Sequence, residues 1–448
     1  MEEVSVTPIP LHRLASLLSP ERAAMLWQYE ETARAVFAGR SVWNVNSTGR
    51  GGGVAEMLHG LTAYGQGAGV DVRWLVIQGP PEFYEITKRV HNRLHGFAGD
   101  GGALDERARQ TYLDTLQRSR HELEARVRPG DVVLLHDPQT AGLAQALRDH
   151  GAYVVWRCHI GLDERNERTR EGWEFLRELV EPAHGYIFSR KEFAPEWIPA
   201  ERLHIIPPSL DPFSPKNEEL TPLGIETRVH RDDLLIEGGP LPGDAKLVLQ
   251  VSRWDRLKDM GGVLAAFAEH LGDFPADTHL ALAGPETAGV ADDPEAAEVL
   301  DDCRRQWRDL PAEARARTHL LSLPMADLHE NARLVNALQR HADVVVQKSL
   351  AEGFGLTVTE PMWKARPVIA SAIGGIRDQI EHGVSGLLLD DPTDGAELAT
   401  ALASLLGDPG RRATMGAAAR ERVRELFLAD RHLIQYVQLC EQLFSTER

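Results

Sequence analysis

Two acids eight positions apart, Glu352 and Glu360, flank the turn Gly353-Phe354-Gly355. Carboxylates can accept hydrogen bonds from a polyol, and glycines let a ligand come close to the backbone. Ahead of them, Ala342 to Gln347 reads as a short apolar strand; behind them, Leu356 to Lys364 reads as a helix. Strand, glycine turn and helix present free amides at a helix N-terminus, which can hold an anion. Glu352 then suits sugar hydroxyls, and Glu360, about two turns along the helix, suits a ribose diol. An N-cap or a solvated helix face would equally accommodate either acid. Upstream, Arg253 and Lys258 stand where a strand gives way to a helix. A guanidinium fork with an ammonium can neutralise a departing diphosphate, although alone the two also fit a solvated basic loop.

The first half carries its own polar strand ends. Gly49-Arg50-Gly51-Gly52-Gly53 lies between an apolar strand and a helix. It lacks the third glycine of a dinucleotide fingerprint and the Gly-Lys-Ser/Thr of a P-loop, so it reads as a close-approach loop or a tight turn. His136-Asp137-Pro138-Gln139 and Arg157-Cys158-His159-Ile160-Gly161 each end an apolar run. A lone histidine is more often structural than catalytic, but three polar strand-end loops in one sheet strengthen a binding reading. Pro207 to Pro212 is proline-rich and reads as leaving the domain.

The elements that must position these groups alternate regularly. Ser41–Ser47, Val70–Gln78, Asp131–Asp137, Ala152–Ile160, Gly185–Ser189 and Leu203–Pro207 read as strands with helices between them. After a stretch rich in Pro, Gly, Asp and Glu, the rhythm restarts with Lys246–Trp254, His279–Gly284, Thr318–Leu323, Ala342–Gln347, Pro367–Ala370 and Gly386–Leu389. Short β-branched strands alternating with helices predict an α/β fold of two Rossmann-like domains with parallel sheets, whose ligands bind beyond the strands' carboxyl ends. The expected boundaries are 1–215 for the first domain, 216–244 for a linker, 245–427 for the second domain and 428–448 for a terminal helix. Leu433, Ile434, Val437, Cys440, Leu443 and Phe444 give that helix its apolar face.

Bulk properties narrow the function. A net charge of −18 argues against a nucleic-acid groove or an anionic membrane surface as the main partner. Three cysteines without a CxxC, no apolar run of membrane-spanning length and a start without signal-peptide character predict a soluble cytoplasmic protein. No Asp-x-Asp follows a strand end and no metal-ligand spacing occurs, so no metal or other cofactor is expected to be required.

Arg253 and Lys258, followed by Glu352-Gly353-Phe354-Gly355 and Glu360, resemble the signature of retaining nucleotide-sugar glycosyltransferases of the GT-B fold, family 4. Val45-Asn46-Ser47-Thr48, Gly51 to Glu56, His136 to Gln139, Trp156 to His159 and Glu352 to Met362 are similar to the trehalose glycosyltransferring synthases, from about residue 40 onward. The resemblance implies reversible, retaining transfer from ADP- or UDP-glucose to free glucose, giving α,α-trehalose. It also implies domains facing a central cleft and a terminal helix crossing back onto the first. Residue by residue, it gives the diphosphate to Arg253, Lys258 and the amides of Gly355, Leu356 and Thr357. Glu352, with Gly353, Phe354 and Gly355 of the turn that follows it, would take the donor glucose and Glu360 the ribose. Gly52 and Gly53 would approach the donor, His159 the transferred glucose, and Asn46, Glu56, Asp137, Gln139 and Arg157 the acceptor. Gly284 to Asp293, with Pro285-Glu286, departs from the family's pattern at the base-side pocket and leaves ADP and UDP both open.

Two acids on one turn and helix do not obviously flank an anomeric carbon from both faces, so electrostatic help to the leaving group is favoured over a carboxylate pair. Related trehalose phosphorylases share these loops and form the alternative within the class; a non-catalytic nucleotide-sugar-binding protein is the alternative outside it. Small sugars and nucleotide-sugars are the expected partners, and a homodimer is compatible with this reading.

Overall fold

A computed structural model describes residues 1–50, 52–287 and 295–446. These form two compact units, Met1–Leu210 with Leu428–Arg448, and Asp211–Phe427.

The first unit is built on strands β1 (Glu2–Glu3), β2 (Ser41–Asn46), β3 (Asp71–Val76), β4 (Val132–His136), β5 (Tyr153–Cys158), β6 (Gly185–Phe188) and β7 (Leu203–Ile205), in the order β1-β3-β2-β4-β5-β6-β7. All neighbours are parallel except β1, which runs antiparallel to β3. β2 and β4 are buried along their whole length, as expected of a parallel strand covered on both faces. On one face Trp43, Val133, Leu135, Val154 and Trp156 pack under helices Pro81–Leu94, Glu106–Glu124 and Glu167–Val180. On the other, Val42, Val132, Leu134 and Val155 pack with the C-terminal helix Ala429–Thr446 through Val437, Leu439 and Cys440. That helix also meets the N-terminal helix Pro20–Val36, where Asp430 pairs with Arg22 at 2.7 Å.

The second unit has strands β8 (Leu235–Glu237), β9 (Lys246–Val251), β10 (Thr278–Pro285), β11 (Thr318–Leu323), β12 (Val344–Gln347), β13 (Val368–Ser371) and β14 (Leu387–Leu389), ordered β14-β13-β12-β9-β10-β11-β8. Only β8 is antiparallel to its neighbour. The stretch expected to be a linker is structured: residues 216–244 supply helix Pro222–Val229 and the edge strand β8. Its polar, turn-rich composition concealed both. Gly51 and residues 288–293 of the expected base-side segment lie outside the described residues.

Candidate active site

In the second unit the expected donor residues gather at the carboxyl ends of β9 and β12. Beyond β9, the buried Trp254 donates its indole N–H to the Pro285 carbonyl at 3.0 Å and so anchors the loop. Asp255, also buried, accepts the Leu257 amide at 2.8 Å and lies 3.4 Å from the exposed Arg253 guanidinium. The next residues make a single tight turn, Arg256–Lys258, which aims Lys258 Nζ to within 2.5 Å of Glu352 Oε2. A third cation was not singled out by sequence reasoning. Lys348, directly after β12 and 2 % exposed, pairs with Asp259, which caps helix Met260–Glu269. A lysine two residues past the apolar run Val344-Val345-Val346 was the available signal.

Gly355 shows why glycine stands in the turn. Its φ is +87°, and a Cβ there would lie 3.1 Å from Glu352 Cγ. It precedes helix Leu356–Trp363, whose N-cap has no side-chain hydrogen bond. The first amides of any α-helix lack intrahelical acceptors, so Leu356 and Thr357 have N–H groups suited to an anion. The turn itself is braced: Gly375 N–H donates to the Gly353 carbonyl at 3.0 Å, and the Phe354 ring packs edge-on against Phe427. Glu360 is the fifth residue of this helix, one turn in rather than the two expected. Its carboxylate is 3 % exposed, accepts from Gln339 Nε2 at 3.1 Å and has Lys216 Nζ at 3.5 Å. A ribose would therefore displace an existing partner to reach it.

In the first unit, loops after β2, β4 and β5 carry the expected sugar-binding groups. Gly52 has a φ of +76° and, like Gly53, is exposed where helix Gly52–Gly67 begins. Glu56 is half-buried on that helix. Asn46 is buried, and its amide fastens the loop rather than facing a ligand. Its Oδ1 accepts from Trp74 Nε1 at 2.7 Å, and its Nδ2 donates to the Thr48 carbonyl at 2.7 Å.

Asp137 and Gln139 are half-buried at the end of β4. Asp137 occupies an unusual backbone conformation, φ 63° and ψ 179°, in a region populated almost only by glycine. Its N–H donates to the Arg157 carbonyl at 2.8 Å, its carbonyl accepts from Trp156 Nε1 at 3.1 Å, and its Oδ1 accepts the His159 amide at 2.7 Å. Burial pushes its carboxyl up to about 7, the His159 amide and Arg157 opposing this only in part. The half-buried His159 ring meets His136, Nε2 to Nδ1, at 3.1 Å. Burial, with the nearby Arg157 charge, pushes His136 down to about 3 and His159 well below the usual imidazole range. Both rings are therefore neutral at pH 7.

Arg157 is not an acceptor ligand. Its side chain is 1 % exposed and is spent on the C-terminal helix, donating to His432 Nε2 at 2.6 Å, to Tyr436 Oη at 2.5 Å and to the Ile206 carbonyl at 3.0 Å. Alternation along β5 explains it. Trp156 and Cys158 face one helical layer, so Arg157 faces the other.

Residues 44–195 match the trehalose synthase N-terminal domain, and residues 233–422 match glycosyl transferases group 1. A trehalose synthase of Pyrococcus horikoshii is 35% identical over 443 residues, 99% of either chain. The chain belongs to the trehalose synthase family. It is thereby a glycosyltransferase, and its fold is GT-B. The trehalose-phosphate synthase (UDP-forming) of Burkholderia vietnamiensis, 16% identical, superposes with a TM-score of 0.70 over 91% of this chain and 98% of its own. A trehalose phosphorylase of Pleurotus pulmonarius is 28% identical over 85% of this chain but only 54% of its own length.

Proposed function

We propose that this family member moves glucose from ADP- or UDP-glucose to free glucose, reversibly and with retention, giving α,α-trehalose and the nucleoside diphosphate. The observation that carries the reading is the Lys258–Glu352 pair, set beside the Gly355 turn in a chain similar end to end to a trehalose synthase. The diphosphate takes Lys258, Arg253 and the first amides of helix Leu356–Trp363. Glu352, released from Lys258 as the phosphate arrives, accepts from donor-glucose hydroxyls.

The acceptor hydroxyl oxygen bonds to the anomeric carbon on the face that the diphosphate leaves. Its proton passes to the departing phosphate oxygen, so atoms and charge balance without an enzyme carboxylate. His159, neutral, hydrogen-bonds the transferred sugar. Charge compensation by Arg253 and Lys258 asks for no metal, and activity should survive EDTA.

Incubation with glucose and a panel of nucleoside-diphosphate-glucoses, followed by linkage analysis, tests this. An α,α-1,1 disaccharide is expected; a β configuration at the anomeric carbon of the transferred glucose, traced with labelled donor, would refute retention. Turnover of glucose 1-phosphate with glucose, in the absence of any nucleotide, would favour the phosphorylase reading instead.

A further inference from the structure

A chain of three side chains runs across the carboxyl ends of β2, β4 and β5. In the register, Asn44 lies opposite Leu134, and His136 opposite Arg157, so Asn44 and His136 share one face of the sheet. Asn44 is 3 % and His136 1 % exposed. Asn44 Oδ1 is 3.1 Å from His136 Nε2, and His136 Nδ1 is 3.1 Å from His159 Nε2. The imidazole rings are 13° from parallel with centroids 5.4 Å apart, so the contact runs between ring edges.

Each contact has one donor, and the first fixes the rest. An amide oxygen can only accept, so His136 Nε2 carries the hydrogen. A neutral imidazole has a single N–H, so His136 Nδ1 is a bare lone pair. His159 Nε2 must then donate, and His159 Nδ1 is left as an acceptor. The Asp137 carboxylate receives the His159 backbone amide and fixes where the ring starts.

We infer that Asn44 and His136 are positioning residues that hold His159 in its Nε2–H tautomer, so that His159 receives a hydrogen bond from a sugar hydroxyl through Nδ1. This rests on the proposal that His159 touches the transferred sugar. A bare imidazole nitrogen selects a neutral hydroxyl at that position, since a phosphate ester there has no hydrogen to offer. Asn44 never meets substrate. It acts through His136, as the outer partner of a metal-bound histidine sets that ring's tautomer.

The test uses the full-length protein with 15N-labelled histidine, and long-range proton–nitrogen correlation spectra in which His159→Gln assigns the His159 signals. The expected wild-type pattern is a protonated Nε2 and a bare Nδ1. His136→Phe keeps a flat ring but removes the acceptor, and should give mixed tautomers at His159 with kcat/KM lowered about tenfold, the worth of one hydrogen bond. Asn44→Leu, a second and independent break in the chain, should do the same, whereas Asn44→Asp retains an acceptor and should keep the wild-type tautomer.

A wild-type Nδ1–H pattern overturns the inference, as does an unchanged tautomer in both His136→Phe and Asn44→Leu. If the tautomer shifts in those variants while turnover is unaffected, the sugar contact of His159 is what fails, and the positioning role falls with it. If instead the protein makes no trehalose at all, the tautomer pattern still decides whether the chain fixes the ring.

Discussion

Asp137 is held in glycine-like backbone geometry by three hydrogen bonds, and such strain typically costs about 1–3 kcal/mol. Strain maintained this firmly marks a position where geometry matters, here the entry to the His159 loop. With its carboxyl raised to about 7, folded Asp137 keeps its proton between pH 4 and 7 while the unfolded chain releases one. Stability therefore declines as pH rises through that window and levels off above it. Asp137→Asn keeps an acceptor for the His159 amide but has no proton to lose. Relative to wild type it should gain on the order of 1–2 kcal/mol between pH 5 and pH 8, read from denaturation midpoints. The two glutamates should separate kinetically. Glu352→Ala removes the partner of Lys258 and, on the proposed reading, a sugar ligand, and kcat should fall by about 10²–10³. Glu360→Gln, one turn deeper and buried, should raise the donor KM about tenfold with kcat within a few-fold. Equal effects of both on kcat and KM would contradict that division.

At the scale of elements, helix Leu356–Trp363 depends on the single residue before it. Gly355→Ala must adopt a positive φ and push Glu352 Cγ aside, so we expect a loss of about 1–2 kcal/mol and a kcat reduced about tenfold. Denaturation and steady-state kinetics would check it; a fully active, equally stable variant would show that the turn tolerates a side chain. Much of this scale was legible in the sequence. All twelve expected strands exist, because each is an apolar run bounded by turn residues. The two missed, β1 and β8, are antiparallel edge strands of two and three residues that bury too little to leave a pattern. The gathering of Lys258, Glu352 and Gly355 was legible because strand-end position and residue type coincide. Arg157 was misread because its partners, His432 and Tyr436, come from the C-terminal helix some 275 residues later and leave no mark beside it in the sequence. Asn44 escaped because it lies inside the buried strand β2, and Lys348 because it sits among the polar residues Gln347 and Ser349 that read as a strand end.

At the scale of the molecule, the C-terminal helix is part of the first unit although the second unit precedes it in sequence. It supplies His432 and Tyr436 to the buried Arg157 and Val437 and Cys440 to the apolar face of the sheet. A chain ending at Phe427 leaves the buried Arg157 without His432 and Tyr436 and an apolar face uncovered. It should bind the dye ANS strongly and aggregate, as followed by fluorescence and light scattering; a monodisperse, dye-silent product would contradict this. His432 adds a pH limit. Burial, with Arg157 and Arg431 close by, pushes it well below the usual range, so stability is present above about pH 6.5 and is lost as the pH falls below it. Helix and sheet are also separated in time. The ribosome finishes the first unit's last strand, β7, and then makes roughly 200 further residues before the closing helix emerges. At about 5–20 residues per second that is on the order of 10–40 s, during which the half-covered sheet is exposed to whatever chaperones or neighbouring nascent chains the cell presents.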